Sequence, residues 1–288
     1  MQEQSHLDAD AKAVMEFSGQ VLGELQSGKL VLPMLPEVTL RVSDLTSDPN
    51  ASLQDLATLI VTDATLASQL IKVSNSPLYR GREPVETVPI AVSRLGFRAV
   101  RNLVSSLAMQ QMFTATSPRV EQHLRNMWEL NVDVSARSQL LAASVPGVAV
   151  DEAMLAGLIH NIGILPLLVK ADENPELIED EAALDALIED VSAQIGVAVL
   201  ESWDFPASLV AVVEHYREFD REAANDPDLI DVVQVASLQS HLTDLSRLKV
   251  HSLNEVRAFQ RLGVQTEVEV DEFDGNSEEY AAALRMFG

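Results

Sequence analysis

The sequence predicts an all-α protein, a compact helical N-terminal subdomain packed on a second helical bundle. Three observations carry this. Hydrophobic residues make up 47% of the chain and aromatic ones only 5%. The core must therefore be built from Leu, Val, Ile, Ala and Met, a mix that favours helices over sheets. Apolar residues recur three and four positions apart along most of the chain. Only residues 264–270 alternate apolar and polar, as a short edge strand would.

Taken in order, residues 8–25 place Val14, Phe17, Val21, Leu22 and Leu25 on one helical face, and Gln26-Ser27-Gly28 ends it. Pro33 and Pro36 fix an extended segment, and the second can open a helix. Leu40 and Leu45 continue that helix until Ser47-Asp48-Pro49-Asn50. Ser52 followed by Asp55 is a capping-box pattern, with Leu53, Leu56, Leu59 and Ile60 as the stripe behind it. A helix then starts near Thr62-Asp63, carries Leu66, Leu70 and Val73, and closes at Asn75-Ser76-Pro77. Another runs from about Thr87 to Leu95 and stops at Gly96. The next buries Val100, Leu103, Val104 and Leu107. Short helices with short loops read as a compact subdomain.

Residues 114–118 are polar and contain a proline, which suggests a hinge. Residues 119–143 form the longest helix, anchored by Leu124, Met127, Trp128 and Leu141. After Val145-Pro146-Gly147 comes DEAMLAGLIHNIG, residues 151–163, an apolar helical run ending in the pair His160–Asn161. Asp151 and Glu152 read as its N-terminal cap. Residues 181–203 and 207–216 are helices separated by Asp204-Phe205-Pro206. Further helices are predicted at 228–246 and 252–262, the latter opened by a Ser252/Glu255 capping box. Residues 267–280 hold seven acidic side chains and no basic one. They read as a solvated loop before a terminal helix at 278–286. The chain thus divides into an N-terminal helix (1–26), a domain at 27–222 with halves at about 27–114 and 119–222, and an extension at 223–288.

Bulk properties narrow the function. A net charge of −24 disfavours nucleic acid, whose phosphates would be repelled at long range. The absence of cysteine excludes disulfides and thiolate metal sites. The first residues lack a basic segment followed by an apolar one, so no signal peptide is expected. Apolar runs such as 163–169 fall short of the ~20 residues of a membrane span. The expectation is a cytoplasmic protein with neither membrane nor nucleic acid as partner.

Several spaced elements resemble one family. Pro33 and Pro36, Asp48-Pro49, Asp63, Asn75-Ser76 and Arg94-Leu95-Gly96 occur in its order. They are followed by Trp128, AGLIHNIG, IGVAVLESWDFP and VVEHY. Over about residues 27–220 the chain resembles the HDOD family, the HD-related output domains of bacterial signalling proteins. The resemblance implies that the second half is an HD-hydrolase-like bundle and that the role is signalling. Such domains often accompany receiver or cyclic-dinucleotide domains. No such companion is expected here, because the 26 residues before Ser27 are too few.

An HD phosphohydrolase surrounds one or two divalent ions with histidines and carboxylates, which lower the pKa of a bound water. The resemblance places an early ligand after Trp128, where Leu130, Asn131 and Val132 stand. It places a His-Asp pair at His160–Asn161, a further ligand near Ser192 and a late aspartate near Ser237. Only His160, and His215 in VVEHY, remain as residual metal ligands. The favoured reading of both is structural: His160 as a core histidine held by backbone or Asn161, His215 as a helix-end residue. No catalytic residue is therefore predicted and no cofactor is expected, with a divalent metal as the alternative.

One basic cluster stands against the acidic background: Arg80, Arg82, Arg94, Arg98 and Arg101. Arg94, Arg98 and Arg101 could share a face and grip an anionic small molecule, a cyclic nucleotide or an acidic signalling partner. A solvated or internally paired face is the competing reading. Asn75 and Ser76 are either a cap and turn or a partner contact. The functional expectation is a non-catalytic regulatory module acting through a protein partner. A metal-dependent phosphohydrolase is the alternative, and an adaptor with a docking acidic tail the third.

Overall fold

The computed structural model describes residues 2–113, 117–222, 226–245, 248, 250, 252–264 and 278–287; for residues 2–11 it describes the backbone only. All regular structure in those residues is helical. The sequence expectation of an all-α protein holds. The 264–270 alternation, the 114–118 hinge and most of the acidic stretch fall wholly or partly outside the described residues.

The first half is a helical cradle on one long element. Helices α1 (Gln2–Gln26), α2 (Glu37–Ser47), α3 (Leu53–Val61) and α4 (Ala64–Ser74) lead into α5 (Val88–Met109). Helices α2, α3 and α4 all pack against α5. Local chemistry sets the starts. Ser52 and Asp55 form a reciprocal capping box at α3, and the Asp63 carboxylate accepts from the N–H groups of Thr65 and Leu66 at α4. Two helices were expected on either side of Gly96. They run on as α5 across a break at which Gly96 takes φ 78°, a conformation that favours glycine.

The second half comprises α6 (Pro118–Ala142), α7 (Val150–Ile159), α8 (Ile164–Ala171), α9 (Pro175–Glu179), α10 (Glu181–Ser202) and α11 (Ala207–His215). It continues through α12 (Leu229–Leu238), α13 (Arg257–Leu262) and α14 (Glu278–Leu284). Helix α7 sits in the middle and touches α5, α6, α11 and α12. Residues 153–159 are buried on every side, as a helix without a polar face must be. One hydrophobic core runs continuously through both halves. The apolar run Val150–Ala171 is 22 residues long, enough to match a membrane span by composition, and its most apolar 18 residues are 83% buried inside the protein. A turn at 160–163 splits it into α7 and α8. Gly163 permits the next contact, because a Cβ there would collide with the Ser192 carbonyl of α10.

Three sequence expectations need correction. The helix expected at 228–246 ends at Leu238, where the polar run Gln239-Ser240-His241 begins. Ser240 Oγ there accepts from the Leu242 N–H and holds a turn. Ser252 caps only a 3-10 turn over Leu253–Glu255, and extended Val256 separates that turn from α13. Asp151 and Glu152 do not cap α7, which has no side-chain cap bond. Each reaches across to another helix instead. Helices α8 and α9 were not separated in the sequence.

The C-terminal helices are locked on by charge. Asp231 on α12 has a fully buried side chain and accepts two bonds from Arg261 of α13, one from Nε at 2.8 Å. Arg221 Nη2 adds a third at 3.0 Å. Burial pushes the Asp231 carboxyl up, but Arg261, the Asp228 backbone N–H and Arg221 outweigh it and hold it below its ordinary value. Arg261→Ala leaves this carboxylate buried without its fork. Unfolding free energy from urea denaturation should fall by about 3–5 kcal/mol. The carboxylate's contribution is present above the unfolded pKa of about 4 and is lost as pH falls through the lower folded value. The deficit of Arg261→Ala should therefore be full at pH 7 and shrink below pH 4.

Candidate functional site

Helices α6 and α7 form a hairpin joined by a short turn. Ser135 Oγ donates to the Met154 carbonyl at 2.8 Å, and the Gly157 backbone lies against Ser135 and Ser138. A Cβ at Gly157 would stand 2.7 Å from Ser135 Cα, so the helices approach as closely as a glycine permits. Running the hairpin one turn further sets Asn131 of α6 level with Asn161 after α7. Helix α12, with Gln234 and Ser237, packs against both α6 and α7. The positions where ligands would be needed therefore lie among helices that pack together.

Their chemistry is that of amides and hydroxyls. Asn131 is wholly buried, and neither its Oδ1 nor its Nδ2 has a hydrogen-bond partner among the described residues. Asn161 is 5% exposed with Oδ1 unpaired, and Gln234 has an unpaired Oε1. Ser192 and Ser237 are buried, whereas Leu130 and Val132 are half-buried. His160 is 1% exposed. Its Nδ1 lies 2.7 Å from the Gly157 carbonyl, which can only accept, so Nδ1 carries the proton. Its ring stands edge-on to Tyr216, with centroids 4.9 Å apart. Burial, chiefly, pushes the imidazole down to about 4, so it is neutral at physiological pH.

Among the described residues no group of three or more His, Asp or Glu side chains converges as a metal would require. The donors around Asn131 and Asn161 lack the charge that a divalent ion and an activated water need. They do not fit the metal centre of an HD hydrolase. His215 lies at the end of α11, faces Glu218 Oε1 at 3.0 Å, and shares no cluster with His160.

The basic cluster divides: Arg94 and Arg101 bond backbone carbonyls, and Arg80, Arg82 and Arg98 are exposed. Arg94 Nη2 donates to the Glu83 carbonyl at 2.6 Å, and its guanidinium lies against the Gly81 backbone. Arg101 Nη2 reaches the Asp204 carbonyl at 3.4 Å. Arg98 is 72% exposed and stands 3.9 Å from Asp151. Asp151, itself buried, accepts from Asn102 Nδ2 at 2.7 Å, which joins α7 to α5. Glu152 accepts from Ser208 of α11. Asn75 acts as a backbone clasp: Nδ2 donates to the Val85 carbonyl and Oδ1 accepts from the Val85 N–H, both at 2.7 Å. Ser76 Oγ is buried beside it without a partner.

Three groups had no sequence signal. Tyr79 accepts from Gln139 Nε2 at 3.3 Å, and burial with the nearby Asp151 charge raises its phenol well above the usual range. Gln234 donates to the His215 and Glu218 carbonyls and so ties α12 to the end of α11. Asp133 and Arg137 form a buried ion pair within α6, 2.8 Å apart. Single polar letters inside apolar helices do not announce which neighbour they meet.

The class this defines is an all-helical protein with buried amide and hydroxyl side chains at Asn131, Asn161, Ser192 and Ser237. The HDOD domain model matches residues 32–219, and the chain belongs to the HDOD family. A solved structure from Shewanella amazonensis SB2B, provisionally named a metal-dependent phosphohydrolase, is similar at 28% identity and TM-score 0.78. That match covers 96% of this chain and 99% of the other. An HDOD domain protein of unknown function from Geobacter sulfurreducens is similar in fold, at 20% identity and TM-score 0.65, covering 95% and 99%. An uncharacterized protein from Treponema pallidum (strain Nichols) is 24% identical over 227 residues, which is 74% of this chain. The chain spans 43% of that relative's length.

Two outcomes are expected. Asn75→Ala should lower stability by about 1–3 kcal/mol, because the buried Val85 groups lose both partners. Limited proteolysis should then cut residues 76–87 first. His160 should stay neutral to about pH 4, read by ring NMR shifts. Its folded value lies below the unfolded one of about 6.5, so its contribution is full above pH 6.5 and declines as pH falls to about 4. His160→Gln should flatten stability across that window in urea titrations.

Proposed function

We propose that this HDOD protein is a non-catalytic regulatory module that works by binding a signalling partner protein. One observation supports this above the others. Buried, neutral amides of Asn131 and Asn161 stand where a hydrolase needs an imidazole and a carboxylate. An amide oxygen carries no charge to lower a water's pKa or bridge two ions. His160 alone, with Nδ1 committed to the Gly157 carbonyl, cannot replace them.

The partner surface is proposed around Arg98, with Arg94 and Arg101 behind it and Asn75-Ser76 shaping the adjoining loop. Arg98 and the neighbouring Arg80 and Arg82 are exposed cations in a chain of net charge −24, which favours an acidic partner or an anionic small molecule such as a cyclic nucleotide. A cytoplasmic setting follows from the same reading. The second reading, a metal-dependent phosphohydrolase, draws on the name of the Shewanella relative.

Elemental analysis and turnover separate the two. Purified protein should carry less than ~0.1 equivalents of Mn, Fe or Zn and should not hydrolyse bis-p-nitrophenyl phosphate or cyclic dinucleotides. Stoichiometric metal with turnover would establish the hydrolase reading instead. Partner capture from cells should drop at least tenfold with Arg98→Ala and stay unchanged with Lys12→Ala on the far-exposed face of α1.

A further inference from the structure

Helix α14 is seven residues long. A helix this short has no stability of its own, so its order comes from what it lies on. Tyr280 and Ala283 of the helix are buried, as are Met286 and Phe287 in the turn that follows it, while Glu278 and Arg285 are exposed. A spacing of three within the helix, continued by the turn, is that of a segment laid in a groove.

The groove reads this helix at both ends. At one end the Tyr280 hydroxyl donates to Asp133 Oδ1, and the Arg137 guanidinium sits 5.3 Å from the centre of the Tyr280 ring. At the other, the Phe287 ring meets Trp128 edge-on at 6.1 Å. The rim contacts address backbone. Lys72 Nζ donates to the Arg285 carbonyl at 2.9 Å and Gln110 Nε2 to the Phe287 carbonyl at 3.2 Å. Terminal carbonyls are common to every helix, so these two contacts would cap any helix ending there. Arg80 lies 3.8 Å from Glu278 in the first turn.

Asp133 and Arg137, four residues apart on α6, form an ion pair of their own at 2.8 Å, to which the Tyr280 hydroxyl adds a bond on each side. On release, water would hydrate both charges and replace the phenol hydroxyl, which lowers the penalty that burying an ion pair incurs. Lys72 and Gln110 belong to the first half of the chain and α6 to the second. An occupant therefore bridges both halves.

We propose that the surface of α6 between Trp128 and the Asp133–Arg137 pair, floored by Ala136 and Leu140, is a docking groove for a short helix. That helix has an acidic first turn, a tyrosine and, seven residues on, a phenylalanine. Helix α14 is its releasable intramolecular occupant, and a partner helix of the same pattern takes the seat when α14 leaves. The proposal rests on the partner-binding reading for its biological sense. Its test reads the groove directly, whereas metal and turnover assays read that other proposal.

The probe is a fluorescein-labelled peptide of residues 276–288, titrated by anisotropy against the full-length chain and its Tyr280→Ala/Phe287→Ala variant. The variant, with its own α14 disabled, should bind the peptide at least tenfold more tightly than wild type. A peptide carrying Tyr→Ala at position 280 should bind neither. Equal binding to both proteins, or binding to neither, would overturn the proposal. A second measurement guards against a variant that does not fold. In the unmodified chain, amides of 280–284 should exchange with deuterium at least a hundredfold faster than those of 153–159. Equal protection would make α14 part of the core and overturn it as well. A wild-type dimer in sedimentation that the variant lacks would assign the seat to a second copy and overturn the intramolecular occupancy.

Discussion

Helix α7 has no polar stripe over residues 153–159, and the rest of the molecule follows from having to surround it. A helix apolar on every side must be packed on every side. Here α5, α6, α11 and α12 supply the walls. Its polar residues, Asp151 and Glu152 at one end and His160 and Asn161 at the other, are carried into the interior or its edge. Each then needs a partner. Asn102 and Ser208 answer the first two, and the Gly157 carbonyl answers His160. The junction between the halves is thus partly a consequence of satisfying the ends of one apolar helix.

The same constraint explains what the HD frame has become. The geometry that brings His160, Asn161 and Asn131 near one another is the close α6–α7 hairpin, and it is fixed by packing rather than by a metal. Gly157 against Ser135, and Gly163 against Ser192, hold the backbones together whatever stands at the ligand positions. The frame can therefore outlast its charge. Its polar interior is costly in the form seen here, with several amide atoms unpaired inside the protein. Charge reappears elsewhere as structure, in the Asp231–Arg261–Arg221 lock and the Asp133–Arg137 pair. Both tie C-terminal segments to the bundle.

Much of the fold was legible because it is written locally. Ser52 and Asp55 cap α3 as their spacing requires, Asp63 caps α4, and the stripe of Leu184, Leu187, Ile195 and Val199 gives α10 nearly to the residue. Gly96 marked a real break, although the chain continues in one element beyond it. Illegible features depended on competition. Helix α12 stops at Leu238 because Ser240 captures a backbone N–H that a longer helix would have used. The Ser252 pattern opened only a 3-10 turn because Val256 is extended. Asp151 and Glu152 looked like caps, and the donors Asn102 and Ser208 on neighbouring helices claimed them instead.

The candidate site divides along the same line. By itself the sequence determined the helical class, the HDOD resemblance and the uncharged side chains at Asn131, Asn161, Ser192 and Ser237. Those are statements about residue identity and short-range periodicity, which need no neighbours. Only the tertiary structure decided that Asn131, rather than Leu130 or Val132, faces the interior. It also decided that Arg94 and Asn75 hold backbone while Arg98 stays in solvent, and that Tyr280 reaches the carboxylate of Asp133, 147 positions away in sequence. Where a polar side chain points depends on which helix packs against it. That is settled by the summed burial of all the apolar faces at once and not by any stretch read alone.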